Sequence, residues 1–306
     1  MTKYTPPALL FNRHLETIFP SVARRVNITT PRRERITTPD DDFLDLDWYE
    51  QGSSRCVIIS HGLEGNSTRS YVTGMAKAMF SEGMDVVAWN FRGCSGEMNR
   101  QLRFYHSGAS DDLQTLVNHV AGKYDQIILV GFSLGGNVTL KYLGEPTVHP
   151  FVKKAIAISV PMDLHTSCLE ISKPHNWIYS RRFLKSLKLK VRTKASVRKG
   201  LNIEMLDQVS TLQEFDDHFT GPIHGFRDAI DYYTQSSSIH FIKNIHVPTL
   251  IVNALNDPFL SPACYPKEGN PSLTIEFPER GGHVGFAQFN HNGLYWSEAR
   301  ALDFIR

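Results

Sequence analysis

Ser133, Asp257 and His283 are the residues of this 306-residue chain whose types and order suit nucleophilic catalysis. Ser133 is the centre of Gly131-Phe132-Ser133-Leu134-Gly135, a G-x-S-x-G pentapeptide. It directly follows the apolar run Ile127–Val130 and directly precedes a helical pattern near Val138–Leu143. A serine held on a tight strand-to-helix turn is a nucleophile elbow, and the residues two positions to either side must be small because strand and helix pass close together there. Gly131 and Gly135 meet that demand, and Gly136 adds room. A simple glycine-rich turn would use the same residues without chemistry.

A serine hydroxyl is a weak nucleophile near neutral pH and needs a base beside it. In elbow enzymes the acid and then the histidine follow the serine along the chain. Asp257 sits in the loop after the run Thr249–Val252, and His283 in the loop after Leu273–Phe277. The spacing predicts that Ser133 attacks a carbonyl carbon and that His283 takes its proton and passes it to the leaving group. Asp257 then orients the imidazole. Asp257 could instead be a turn residue before Pro258, and His283 a capping histidine; the neighbouring Asn256 cannot supply the negative charge. The oxyanion needs two donors. The backbone N–H of Leu134 follows the nucleophile, and the turn His61-Gly62-Leu63-Glu64-Gly65 after the first buried strand offers the N–H of Leu63. His61 reads as a residue that pins this loop rather than as a base.

These groups must be held by a framework, and the hydrophobic pattern supplies one. Residues 33–50 read as an antiparallel hairpin, with Phe43–Tyr49 alternating apolar and acidic side chains like a half-exposed strand. Cys56–Ser60, Asp85–Trp89, Ile127–Val130 and Ala155–Val160 are continuous apolar runs, as strands buried on both faces require. Helical patterns alternate with them over Ser70–Glu82 and after Ser110, a candidate N-cap. This alternation predicts an α/β fold: a mostly parallel central sheet flanked by helices, with the antiparallel hairpin at its N-terminal end. From 161 to 245 the alternation stops, which predicts a helical lid inserted into one domain spanning 1–306.

Composition narrows the function further. A net charge of +2 gives no reason to expect a nucleic acid partner. The four cysteines are scattered and the 13 histidines form no H-x-x-x-H pair, so no metal or other cofactor is expected. No apolar run reaches the ~20 residues of a membrane span, and the N-terminus lacks a signal-peptide core, so the expected setting is cytoplasmic. Arg181–Lys199 holds nine Lys or Arg and no acid, with Phe183, Leu184, Leu187 and Val191 at helical spacing. Such a helix can rest peripherally on a membrane. The plainer reading is a solvated lid face neutralised by Glu204, Asp207, Glu214, Asp216 and Asp217. Trp177, Tyr179 and Phe183 hint at an apolar pocket. Arg92–Gly96 and Phe104–Gly108 are loops that could shape its mouth, and Cys94 has no base near it in sequence to make it a reactive thiol.

Taken in order, His61-Gly-Leu-Glu-Gly, Asn90-Phe-Arg-Gly-Cys-Ser-Gly, Phe104-Tyr-His-Ser-Gly and Gly131-Phe-Ser-Leu-Gly-Gly-Asn137 resemble the YheT-like branch of the α/β-hydrolases. So do Asn12–Ile18, Asn253–Leu260 and Gly281–Phe286. The resemblance implies an α/β-hydrolase fold and an esterase or lipase-type serine hydrolase. Its substrate would be a small-molecule ester or lipid with a short- to medium-chain acyl group. An acyltransferase with an alcohol acceptor would use the same triad, and a binding protein on the same scaffold would need none of it. The sequence leaves the oligomeric state open.

Overall fold

The computed structural model describes residues 3–267 and 270–306. Helix α1 (Arg13–Ala23) begins where the Asn12 side chain accepts the N–H groups of His14 and Leu15. The hairpin follows as β1 (Arg32–Thr37) and β2 (Phe43–Tyr49), then β3 (Arg55–Ser60), α2 (Ser70–Ser81) and β4 (Asp85–Asn90). Next come α3 (Ser110–Ala121), β5 (Gln126–Phe132), α4 (Leu134–Leu143) and β6 (Val152–Ile158).

The chain then leaves the sheet. It runs through α5 (Leu164–Ile171), the long α6 (Trp177–Val197) and α7 (Leu212–Phe215), which continues through a π turn (Asp216–Thr220) into α8 (Gly221–Ile223), and then α9 (Ala229–Ser236). It returns as β7 (Thr249–Val252) and β8 (Leu273–Glu276) and closes with α10 (Trp296–Ile305). Among the described residues no helix is long and apolar enough to cross a membrane.

The eight strands lie in the order β1-β2-β4-β3-β5-β6-β7-β8. β1–β2 and β2–β4 are antiparallel and every later pair is parallel, as the buried runs predicted. Helices α3 and α4 cover one face through Leu113, Leu116, Val120 and Val138. Helices α2 and α10 cover the other through Val72, Met75, Met79 and Leu302. The strand order reverses at β3, between β4 and β5. In open α/β sheets the crevice beyond the carboxyl ends at such a point is where ligands bind.

Two expectations need correction. β2 is not half-exposed: all seven of its residues are buried. Its acidic side chains are covered because Arg33 and Arg35 of β1 form two-bonded pairs with Asp47 and Asp45. Ser110 is not the cap of α3 but its first residue. The cap position is Ala109, and the Ser110 hydroxyl reaches Glu145 instead.

Candidate active site

Ser133 takes up φ 53° and ψ −121°, a left-handed backbone unusual for a residue with a side chain. The tight turn forces it. A Cβ on Gly135 would lie 2.5 Å from the carbonyl oxygens of Ser60 and His61, and one on Gly136 would lie 2.6 Å from Val160. The Ser133 N–H donates to Ile158 of the neighbouring strand.

His283 Nε2 lies 2.9 Å from Ser133 Oγ, and His283 Nδ1 lies 2.9 and 3.1 Å from the two oxygens of Asp257. The three residues, drawn from loops after β5, β7 and β8, thus form one continuous relay. Asp257 is buried and also accepts the N–H of Phe259, whose ring packs on the imidazole with centroids 4.2 Å apart.

The loop after β3 reaches the same place. Its neighbouring amides are committed: Gly62 N–H donates to the Tyr71 hydroxyl and Glu64 N–H to the Tyr105 hydroxyl. The Leu63 N–H between them makes no hydrogen bond among the described residues. Leu134 opens α4, where an N–H has no partner within the helix. Both leucines line the cavity that holds Ser133 and His283.

His61 is fully buried. One ring nitrogen lies 2.8 Å from the Gly62 carbonyl and the other accepts the Phe91 N–H. Burial pushes its pKa down to about 3, so it is a neutral pin for the loop, as the sequence suggested.

The cavity opens to solvent on one side. Tyr105, His106 and Ser107 form part of its wall, which assigns the Phe104–Gly108 loop to the site. Asn137 fixes that loop by donating to the carbonyls of Ser107 and Ser236. The rest comes from the chain between β6 and β7: Leu164, Ile171, Phe183, Leu187, Leu212 and Tyr233 are among the residues that give it an apolar lining. Of the three aromatic residues singled out in sequence, Phe183 lines the cavity and Tyr179 packs edge-on against Phe259. Trp177 points outward and is 55% exposed, so it is no part of the pocket. Arg92 serves packing: it is buried and binds Asp40, Asp42 and Asp112.

Some functional neighbours escaped the sequence reading. Thr17 Oγ1 accepts the N–H of His283, and Glu16 accepts the N–H of Gly281 and the side-chain amide of Asn256. Asn256 in turn accepts the Gly282 N–H. Helix α1 therefore buttresses the histidine loop, although 240 to 266 residues separate the partners. The only signal for this was that Asn12–Ile18 belongs to a recognisable motif. Asp216 is a second case. It lies on the cavity wall in the π turn, burial pushes its carboxyl up to about 6, and it accepts the Tyr233 hydroxyl. Cys94 has a neighbour after all, the Lys190 ammonium at 3.1 Å, but burial pushes its thiol pKa up and keeps it protonated. Among the described residues no cluster of three His, Cys, Asp or Glu side chains could hold a metal.

Compared with known proteins, residues 55–287 match the model of the family described as alpha/beta hydrolase fold. The chain is 35% identical over 317 residues to "Putative esterase YheT" of Escherichia coli (strain K12), covering 99% of this chain and 93% of that protein. It is 28% identical to "Phospholipase ABHD3" of Homo sapiens (90% of this chain, 70% of that one). It is 29% identical to "Monoacylglycerol lipase" of Saccharomyces cerevisiae (90% and 63%). Among solved structures, an esterase of Pyrococcus furiosus, Pf2001, superposes with a TM-score of 0.60 at 18% identity over 92% of this chain and 97% of that one, a likeness of fold.

Proposed function

The chain belongs to the alpha/beta hydrolase fold family, and from that premise we propose that it cleaves carboxylic esters through an acyl-enzyme on Ser133. The observation that carries the reading is the relay from Ser133 Oγ through His283 to Asp257, with contacts of 2.9 Å on both sides of the imidazole. With a proton on Nδ1 held by Asp257, Nε2 is free to accept the serine proton. The alkoxide oxygen attacks the ester carbonyl, and the charge that develops on the carbonyl oxygen is met by the N–H groups of Leu63 and Leu134. Those donors are fixed beforehand by the Tyr71 and Tyr105 hydroxyls and by the start of α4, so they need no reorganisation when charge appears. The imidazolium then protonates the leaving alcohol. Water, activated by the same histidine, releases the acid.

Residues 161–245 act in this reading as the cap that sizes the substrate. The apolar wall suits an acyl chain, in keeping with a short- to medium-chain acyl ester as substrate. The names of three relatives, an esterase, a phospholipase and a lipase, all denote ester cleavage and support the class.

The test is turnover of p-nitrophenyl esters of rising acyl length by the wild type and by Ser133→Ala. The variant should lose a factor on the order of 10⁴ or more. The best chain length then measures the acyl site. Equal rates in the two proteins would remove Ser133 from the reaction. Products that join the acyl group to an added alcohol would redirect the chemistry to transfer.

A further inference from the structure

We propose that the outward face of α6 docks on an anionic lipid bilayer, with Trp177, Ile178 and Leu189 entering the interface and Arg181, Arg182 and Lys185 binding its charge. This stands apart from the catalytic reading, since it uses none of the residues of the relay.

Helix α6 has two faces. Its inner side buries Tyr179 and Val191 and gives Phe183 and Leu187 to the cavity wall. On its outer side Trp177, Ile178 and Leu189 are 55%, 54% and 62% exposed. Ile178, Arg182, Lys185 and Leu189 follow one another at helical spacing and form one stripe, with Trp177 and Arg181 beside it. Together these residues line a shallow open groove on the surface. Singly exposed apolar residues are ordinary, but a tryptophan grouped with aliphatic side chains and cations marks an interaction surface.

The charge on this face is not balanced from within. Arg181, Arg182 and Lys185 make no ion pair or hydrogen bond among the described residues. The acids that follow in sequence are committed elsewhere. Asp207 pairs with Arg192, and Glu214 accepts the amides of Ser210 and Thr211. Asp216 holds the Tyr233 hydroxyl, and Asp217 accepts the Ala229 N–H. Glu204 accepts from Asn202 and its own N–H is taken by that side chain. The neutralisation expected from sequence is met only at Arg192, which pairs with Asp207 further along the same helix, and does not reach Arg181, Arg182 or Lys185.

An unpaired cationic stripe mixed with tryptophan and aliphatic side chains is complementary to one kind of surface in particular, anionic headgroups over an apolar layer. Tryptophan favours that boundary, with its ring apolar and its N–H wet. Docking there would set the cavity wall, on the opposite side of the same helix, about one helix diameter of ~10 Å from the bilayer.

The protein carries its own reporter. Trp48, Trp89 and Trp296 are 1%, 0% and 6% exposed, so Trp177 is the tryptophan in contact with solvent. The full chain is titrated with vesicles of phosphatidylcholine alone and of phosphatidylcholine mixed with phosphatidylglycerol, and its fluorescence and co-sedimentation are followed. The mixed vesicles should bind the protein and shift its emission to the blue, and the neutral vesicles should do neither. The binding should weaken in 1 M salt, where the Debye length is about 3 Å. Arg181→Glu/Arg182→Glu/Lys185→Glu should weaken it on the order of a hundredfold or more, given about a fivefold contribution from each cation. Trp177→Phe should still sediment with vesicles and lose the shift. All variants should retain wild-type turnover of a soluble ester, or, if the chain turns over none, wild-type thermal unfolding. Equal binding to both vesicle types, or undiminished binding by the charge-reversed variant, would overturn the proposal. So would a shift produced by polyglutamate and not by vesicles, which would give the face to an acidic protein.

Discussion

The ammonium of Lys190, on α6, lies 2.6 Å from a carboxylate oxygen of Glu64, the residue directly after Leu63. Ser186, one turn earlier on α6, and Tyr105 donate to the same carboxylate. Glu64 holds a left-handed backbone at φ 52°, a conformation that costs a residue with a side chain roughly 1–2 kcal/mol. The long helix that walls the cavity is thereby latched to the loop that presents the Leu63 N–H. Burial alone would push the Glu64 carboxyl up, but Lys190 with the Ser186 and Tyr105 hydroxyls more than reverses this and leaves it below the usual glutamate range.

Breaking the latch from one side should be worse than removing it. Both side chains are about nine-tenths buried, so Lys190→Met strands a carboxylate and should cost about 3–5 kcal/mol of stability in urea unfolding. Glu64→Gln/Lys190→Met should cost less than Lys190→Met alone. Strict additivity of the two single changes would mean the residues do not couple.

Much of this architecture is legible in the amino-acid sequence. Strands β3 to β6 are buried on both faces, and a continuous apolar run has no other ready explanation in a chain that alternates with helical patterns. The relay was readable because the glycines around Ser133 are a steric requirement written into adjacent positions, and because Asp257 and His283 fall in loops that must leave the same sheet edge. What stayed hidden depends on side chains that meet across long stretches of chain. The alternation of β2 suggested a wet face because nothing in Phe43–Tyr49 shows that Arg33 and Arg35 will cover its acids. The latch joins residues 126 positions apart, and the contact between α1 and the histidine loop joins residues 266 apart. The cavity lining could not be drawn because the helices between β6 and β7 pack by their own clusters rather than by sheet register.

Stability should fall as the solution is acidified from pH 7 to 5. Burial pushes His61 down to about 3 and His224 to about 4. The unfolded chain protonates both near the ordinary value of about 6.5, so their contribution is full above that pH and is lost progressively below it. At pH 5 each has given up about 2 kcal/mol. Asp216 works the other way. With its carboxyl raised to about 6, the folded state takes up a proton first and regains about 1 kcal/mol over the same range. Burial also holds His106, which packs against His224, well below the ordinary range, so the net loss should be at least about 3 kcal/mol, measured as the change in urea midpoint at constant slope. A flat profile would mean that these histidines are not neutral in the folded protein.

Gly135→Ala should disable the elbow. Its Cβ would sit 2.5 Å from backbone carbonyl oxygens of β3 and its loop, which cannot move aside as a flexible side chain could. The expected cost is about 3 kcal/mol or more in stability, with loss of ester turnover in whatever folds. A variant that folds and turns over normally would show that the strand and the start of α4 are not packed as closely as described.

Thr17→Val tests whether α1 serves the site or merely covers it. The substitution keeps the shape of the side chain and removes the oxygen that accepts the His283 N–H at 2.9 Å. An unmet buried amide costs about 1–3 kcal/mol, and the loop can relieve it by shifting, which would carry the imidazole off its line between Ser133 and Asp257. Displacements of this kind act on the step in which the proton moves. The variant should lose roughly tenfold or more in kcat with KM nearly unchanged, and Thr17→Ser, which restores the oxygen, should recover most of the loss. Slowing in the serine variant without slowing in the valine variant would mean that the methyl group, and hence packing of α1, matters rather than the hydrogen bond. An unchanged kcat in Thr17→Val would show that the loop holds His283 in place through Glu16, Asn256 and the Ser159 hydroxyl, which accepts the Val284 N–H, without help from Thr17.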